Sequence, residues 1–427
     1  MKKKILFGFL VFTLVALPLF GACAEPAPPA PAPPTPAPTP TPTPTPPPAP
    51  DKIVIGQSIS LSGWAAGAAG VLDVPTADLW LQEVNAKGGI FVPQYNKRIP
   101  VELIRYDNKS DVATHLKLLE KLVEVDKVDL TLPPHGTDFH IAGAPLTNKY
   151  KMPWMCFTTS QEDFEKVYWK FPYLFVILPS TAQLMTGLVD VMAELGVKTA
   201  AVCYPAISMG ADYTTSLVRL VGPAGIEIVM LKTYPMEATD LSPLLKEAKA
   251  ANVDAFIAFS MPAGTNLLTE QAMTLGFNPK IFFVTIGSAF PFFKDKFGDE
   301  VVEGIMGPGG WNPGIPYPEA KEFHDKFLAM HGRPIDNFSG PYGYALLQVL
   351  EQAIAMVGFE DREALRDIIA TETFDTTCIG PVKFVDQANI VHGSLTGQWQ
   401  SGVFEAVGPK ATMTAEPIYP KPPWPKK

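Results

Sequence analysis

From Ile53 to about residue 287 the chain alternates between short β-branched apolar runs and segments with helical spacing. Ile53, Val54, Ile55 and Ile59 suit a buried strand. VPTADLWLQEVNAKGG follows, with Pro75 in a first turn, Leu81 and Val84 on one face and Gly88-Gly89 as a stop. VELIRYD (101–107) is the next strand. A helix from about Asp111 puts Val112, Leu116, Leu119 and Val123 on one face, and VDLTL (128–132) is again a strand. PPHGTDFHIAGAP opens another helix, and a further strand ends at Phe157. Alternation of this kind requires a parallel sheet covered by helices.

After Phe175-Val176-Ile177 the series restarts. A helix near 181–196 leads to KTAAVCY, a helix over 211–222, IEIVMLKTY, LSPLLKEAKAAN, VDAFIAF, GTNLLTEQAMTLGF and IFFVTIG. Two series predict an α/β fold of two doubly wound, Rossmann-like lobes with a cleft between them. Helices over 318–331 and 340–357 exceed what the second lobe needs, so the chain is expected to return to lobe one near Gly304 to Gly310. Lobe one is expected to comprise 51–173 plus 306–380, and lobe two 174–305 plus 381–420.

In open α/β sheets, ligands bind in the crevice at the strand C-ends. Ser60, Ser62 and Gly63 lie there after the first strand, and Trp64 adds apolar surface. The glycines at 63, 67 and 70 would let a backbone approach a ligand closely, but their spacing is not the dinucleotide fingerprint GxGxxG. A surface turn opening a helix accounts for the same residues without a ligand.

The N-terminus has its own organisation. Lys2-Lys3-Lys4 precedes an apolar run from Ile5 to Phe20, too short and wrongly flanked for an ordinary membrane span. Gly21-Ala22-Cys23 resembles the lipoprotein signal of bacteria, in which the Cys is lipidated, although Phe20 stands where Leu is usual. Ordinary signal cleavage nearby is the alternative. Residues 24–50 are almost entirely Pro, Ala and Thr and hold much of the chain's 45 Pro. Such a stretch forms no packed core and extends as polyproline II, reaching ~80 Å at about 3.1 Å per residue. A lipidated Cys23 before a stiff stalk would tether the folded part to a membrane.

The net charge of −9, without a basic cluster in the globular part, argues against nucleic acid as a partner. Cys156, Cys203 and Cys378 fit no metal spacing and cannot all pair, so they are read as buried thiols. No later segment is long and apolar enough to span a bilayer. No cofactor or metal is expected. His135 with Asp138, near Ser160, could be drawn as a hydrolase constellation, but no GxSxG, HExxH or Cys/His signature supports it.

IGQSISLSG, LWLQEVNAKGGI and VELIRYDNKSDVATHLKLLEKLV resemble the periplasmic Leu/Ile/Val-binding protein family, the type I solute-binding proteins of ABC importers. The run from Glu83 through Asn85, Gly88 and Gly89 to Ile90 matches well, and Asp107 fits an acidic strand end. The resemblance covers about 51–420. It implies two lobes joined by three crossovers, a small ligand held between them, closure by hinge motion, and a permease that reads the closed shape. It also implies the site. Lobe one would contribute Ser62, Trp64, Gly136, Thr137, Phe157, Thr158 and Thr159, although a helix N-cap explains the last two equally well. Lobe two would contribute Tyr204, Met209, Ser260, Gly287 and Ser288.

Lobe two departs from the family pattern. Amino-acid binders often carry an acid after the fourth strand of this lobe, to pair with the ligand's ammonium. Here that stretch is Thr285-Ile286-Gly287-Ser288-Ala289-Phe290. A buried ammonium without a counter-charge is costly. Trp64, Phe139, Trp154, Phe157, Phe259, Phe290 and Trp311 fall at or near loop positions and suggest an apolar carboxylate, branched or aromatic, with an amino acid as the alternative ligand. Core packing is the alternative for each ring. Within the same resemblance, a ligand-sensing lipoprotein acting through a partner is the alternative to an importer component. Replacement of Cys23 by Ser is expected to move the protein from the membrane to the soluble fraction. An unchanged distribution on fractionation would refute lipidation.

Overall fold

The Ile53–Ile59 strand is the centre of the first sheet. It pairs in parallel along its whole length with Val101–Asp107, Ile53 opposite Val101 and Ile59 opposite Asp107, and on its other side with Leu130–Leu132. Ile53, Ile55 and Ile59 are buried, as a strand covered by helices on both faces requires. The computed structural model describes residues 48–159, 166–391 and 395–426. The basic and apolar leader, Cys23, nearly all of the Pro/Thr/Ala stretch and Ser160 lie outside the described residues.

Trp154–Cys156 and Leu174–Val176 pair in parallel beside the first sheet. The Trp154 indole donates to the Thr131 hydroxyl at 2.8 Å and ties the two together. The chain returns much later to lay Ala388–Asn389 against Leu174–Val176, with Val382–Val385 and Thr373–Phe374 outside it. The second lobe holds a seven-stranded sheet. Its order is Val403–Gly408, Thr396–Gln400, Met306–Pro308, Ile281–Val284, Ala255–Ala258, Thr199–Pro205, Glu227–Tyr234. The last five in that order run parallel, and the first two add an antiparallel pair at one edge. These are the two Rossmann-like lobes expected from the alternation.

Four short strands lie on the other side of the expected boundaries. Leu174–Val176 completes lobe one instead of opening lobe two. Met306–Pro308 belongs to lobe two, where Met306 pairs with both Phe283 and Gln398. Val382–Val385 and Ala388–Asn389 belong to lobe one. The crossovers therefore fall between Val176 and Thr181, between Pro308 and Pro318, and between Asn389 and Thr396. Strands of two to four residues carry no readable period, and their partners lie far away in sequence.

The Asp73–Ala86 helix ends in a turn whose residues are fixed by geometry. Asn85 uses its side-chain amide as a strand edge. Its Nδ2 donates to the Val101 carbonyl and its Oδ1 accepts the Val101 N–H, both at 2.8 Å. Gly88 and Gly89 follow at φ 85° and 104°, and a Cβ on Gly89 would stand 1.9 Å from the Ile99 carbonyl oxygen. This run therefore locks helix to strand and takes no part in the cleft. On lobe one's other flank, the Gly340–Val357 helix is buried along most of its length, and Gly343 lets it close on the Phe157 ring. Asn85→Ala is expected to cost about 1–2 kcal/mol by leaving the Val101 backbone unpaired. Gly89→Ala should cost more, on the order of 3 kcal/mol, through backbone clash and a disfavoured φ. Urea unfolding midpoints measure both, and midpoints equal to the parent's would contradict this account.

Candidate functional site

A cavity of about 530 Å³ opens between the strand ends of the two lobes. On lobe one it is walled by His135, Thr137, Thr158 and Thr159, with Gly67, Ala68, Val71 and Leu72 beside them. The Thr137–Tyr150 helix begins at this wall, and Gly136 at φ 95° turns the chain into it. The first amide hydrogens of such a helix have no intrahelical partner, which favours a negative charge nearby.

Two of the hydroxyls here accept from the frame behind them. The Gly136 N–H donates to Thr158 Oγ1 at 2.8 Å, and the Thr137 hydroxyl donates to Thr159 Oγ1 at 2.8 Å. Each receiving oxygen is thereby engaged, and its own hydrogen is left without a partner among the described residues. Beside them, His135 Nδ1 lies 2.7 Å from Asp73 Oδ2. Burial alone would lower the His135 pKa, but the charge and hydrogen bond of the Asp73 carboxylate outweigh it, and the net shift is upward.

The opposite wall is apolar. Ile207, Met209, Tyr213, Met261, Pro262, Ile286, Phe290 and Phe292 come from lobe two, and Leu178 sits at a crossover. Phe338 and Ser339 complete the lining from a turn that Asp336 organises. Its carboxylate accepts the N–H groups of Phe338, Ser339 and Gly340 at 2.7–2.8 Å. Burial pushes the Asp336 pKa up to about 6, against the opposing pull of those donors. Among the described residues no Asp, Glu, Lys or Arg lines the cavity.

Of the residues expected at the site, Thr137, Thr158 and Thr159 line the cavity from lobe one and Met209 from lobe two. The others lie elsewhere, for local reasons. The Ser62 hydroxyl donates to Asp107 Oδ2 at 2.6 Å, a bond that helps hold Asp107 below the usual carboxylate range. Trp64 is 73% exposed, donates to the Ser110 carbonyl and stacks on Phe139 at 6.2 Å. Gly136 sits behind the threonines as the N–H that holds Thr158. Phe157 is buried against Gly343, and Tyr204 packs at Gly210. Ser260 is buried and bonds Thr265, with its N–H on Thr285 Oγ1. Gly287 makes a turn at φ 102° over Pro262. Ser288 donates into its own turn, to the Val284 and Thr285 carbonyls. Of the seven aromatics singled out, only Phe290 lines the cavity. Phe139, Trp154, Phe157, Phe259 and Trp311 are core. His135 pairs with Asp73 rather than Asp138, and Ser160, drawn with them, lies outside the described residues.

Tyr213, Phe292 and Phe338 are lining residues that the sequence reading missed. Tyr213 had a signal, since it stands four residues after Met209 on one helix and so shares its face. Phe292 stands two residues after Phe290 in Phe290-Pro291-Phe292.

Two α/β lobes with a one-sided cavity between their strand ends define a small-molecule binding protein. The chain belongs to the periplasmic binding protein family, whose pattern it matches over residues 52–402. It is 22% identical over 364 residues to Leu/Ile/Val-binding protein homolog 7 of Brucella suis, covering 79% of this chain and 87% of that one. Its fold is similar to that of the branched-chain amino acid transporter substrate-binding protein LivJ from Streptococcus pneumoniae in complex with isoleucine. There the TM-score is 0.70 and the identity 21%, over 86% of this chain and all of the other. A solute-binding protein from R. palustris in complex with benzoate gives a TM-score of 0.66 at 18% identity, over 86% and 98%. The relatives are binding proteins, not enzymes, and the family is one of extracytoplasmic proteins.

Behind the polar wall lie two more imidazoles. His115 Nδ1 contacts the Ser58 hydroxyl at 3.0 Å, and His140 Nδ1 contacts the Gly136 carbonyl at 2.8 Å. Burial lowers their pKa values to about 4 and about 3. An unfolded His titrates near 6.5, so between about 4 and 6.5 the unfolded chain binds more protons. The stability from these neutral rings is present above about 6.5 and is lost as pH falls toward 4. Asp336, raised to about 6, acts in the opposite sense, so the contrast between proteins is what tests the rings: as pH falls across that window the parent is expected to lose more melting temperature than His115→Asn. Scanning calorimetry showing the same slope in both proteins would remove His115 from this role.

Proposed function

We propose that the protein captures a small carboxylate with a branched or aromatic body between its lobes, outside the cytoplasm, and delivers it to an ABC permease. The observation that carries this is the one-sided lining. Polar side chains stand on lobe one beside Val71 and Leu72, lobe two presents hydrocarbon apart from Tyr213, and no described carboxylate lines the cavity to meet an ammonium. The threonine hydroxyls and the helix start would take the carboxylate, and the Phe290–Phe292 side would take the body. A ring hiding ~100 Å² contributes roughly 2.5 kcal/mol before the costs of association. Zwitterionic leucine would lose the solvation of its ammonium without replacement. Closure of the lobes over the ligand would give the permease its signal. Lipidation at Cys23 would keep the protein near that permease.

Isothermal titration calorimetry tests the ligand class. Benzoate and 4-methyl-2-oxopentanoate are expected to bind at least tenfold more tightly than leucine, isoleucine or valine. Micromolar binding of leucine, with no heat from either acid, would overturn the proposal.

A further inference from the structure

The cavity lining offers no permanent cation to a carboxylate, since neither Lys nor Arg reaches it among the described residues. We propose that His135, held by Asp73, is the cationic donor to the ligand's carboxylate, so that the recognising charge is created by protonating a wall residue. This rests on the carboxylate reading of the cleft.

The geometry fixes the direction of the ring. Asp73 is 3% exposed, and its Oδ2 lies 2.7 Å from His135 Nδ1. An ionised carboxylate only accepts, so Nδ1 carries a hydrogen in either charge state of the ring. Nε2 has no protein partner among the described residues, and His135 is one of the residues that line the cavity. In the neutral ring Nε2 presents a lone pair, which repels a carboxylate. In the imidazolium it presents an N–H, on the same cavity wall as Thr158 and Thr159, whose hydroxyl hydrogens have no partner among the described residues. Asp73 is thus a positioning residue and His135 a binding residue.

The surrounding titratable groups leave that role to Asp73. On the Thr137–Tyr150 helix, His140 is kept neutral by burial and Asp138 is exposed. From the turn before the Gly340–Val357 helix, Asp336 directs its oxygens at three backbone N–H groups. Arg333 donates to the Val71 carbonyl at 3.3 Å. Across the cavity, Tyr213 is the titratable group of lobe two. The upward shift of His135 agrees with Asp73 as its controlling charge.

The test is calorimetry with benzoate and 4-methyl-2-oxopentanoate at pH 6, 7, 8 and 9, in buffers of differing ionisation enthalpy. Both acids stay ionised throughout. Affinity is expected to be level below the His135 pKa and to fall about tenfold per pH unit above it, with proton uptake on binding. His135→Gln should weaken binding about 10- to 100-fold at pH 6 and flatten the profile. Asp73→Asn should shift the fall to lower pH. Circular dichroism checks the fold of each variant, and the profile of the unaltered protein decides alone if a variant fails to fold. Binding of either acid that is indifferent to pH and to His135→Gln overturns the role of His135 while leaving the carboxylate reading intact. Absence of binding by both acids at every pH overturns the reading of the cleft and His135 with it.

Discussion

In a parallel sheet every strand ends on the same edge, and each helix that follows begins there with unbonded amide hydrogens. The polar character of the crevice follows from that constraint, and side chains only modulate it. Both lobes of this protein bring hydroxyl-bearing turns to the edge, yet the two walls differ. In lobe two, Ser260, Thr285 and Ser288 bond within their own turns and with each other's backbone. In lobe one, Thr158 and Thr159 act as acceptors from the frame behind them, which leaves their hydrogens available. The asymmetry has two sources: lobe two's hydroxyls are bonded into their own frame, and hydrocarbon residues such as Met209, Ile286 and Phe290 form its wall.

The run from Asn85 to Ile90 carries much of the family likeness, but it lies away from the cleft. Asn85 imitates a strand edge against Val101, and Gly89 occupies a place where a side chain would strike Ile99. Constraints of this kind persist because the backbone leaves no alternative. Likeness in such runs reports architecture, and the lining residues report chemistry.

Much of the architecture was legible because the long elements announce themselves. The Pro318–His331 and Gly340–Val357 helices have clear starts and stops, and the Ile53–Ile59 run is β-branched. The short strands at the crossovers were not, since Leu174–Val176 and Met306–Pro308 are wholly buried and could sit in either sheet. The antiparallel pair over 396–408 was not anticipated, because Gly, Gln and Thr interrupt its apolar pattern. Of the positions taken from the family pattern, Thr137, Thr158, Thr159 and Met209 line the cavity. That pattern misplaced Ser62 and Ser288, because no pattern reveals that a hydroxyl is bonded to its own turn. His135 was read against its neighbour Asp138, whereas its partner lies 62 residues earlier.

The crossovers have a consequence for how the molecule is made. Val176 waits for Ala388, and the Met306–Pro308 strand waits for Thr396–Gln400. Neither sheet can be completed from the first two-thirds of the chain. At roughly 5–20 residues per second, a strand edge in lobe one stays open on the order of 10 s or longer during synthesis. An unfinished sheet with a bare edge recruits other chains readily. The same delay keeps the nascent polypeptide from reaching its final shape before its last residues exist, which is the condition a chain must meet to be threaded through a narrow translocation channel.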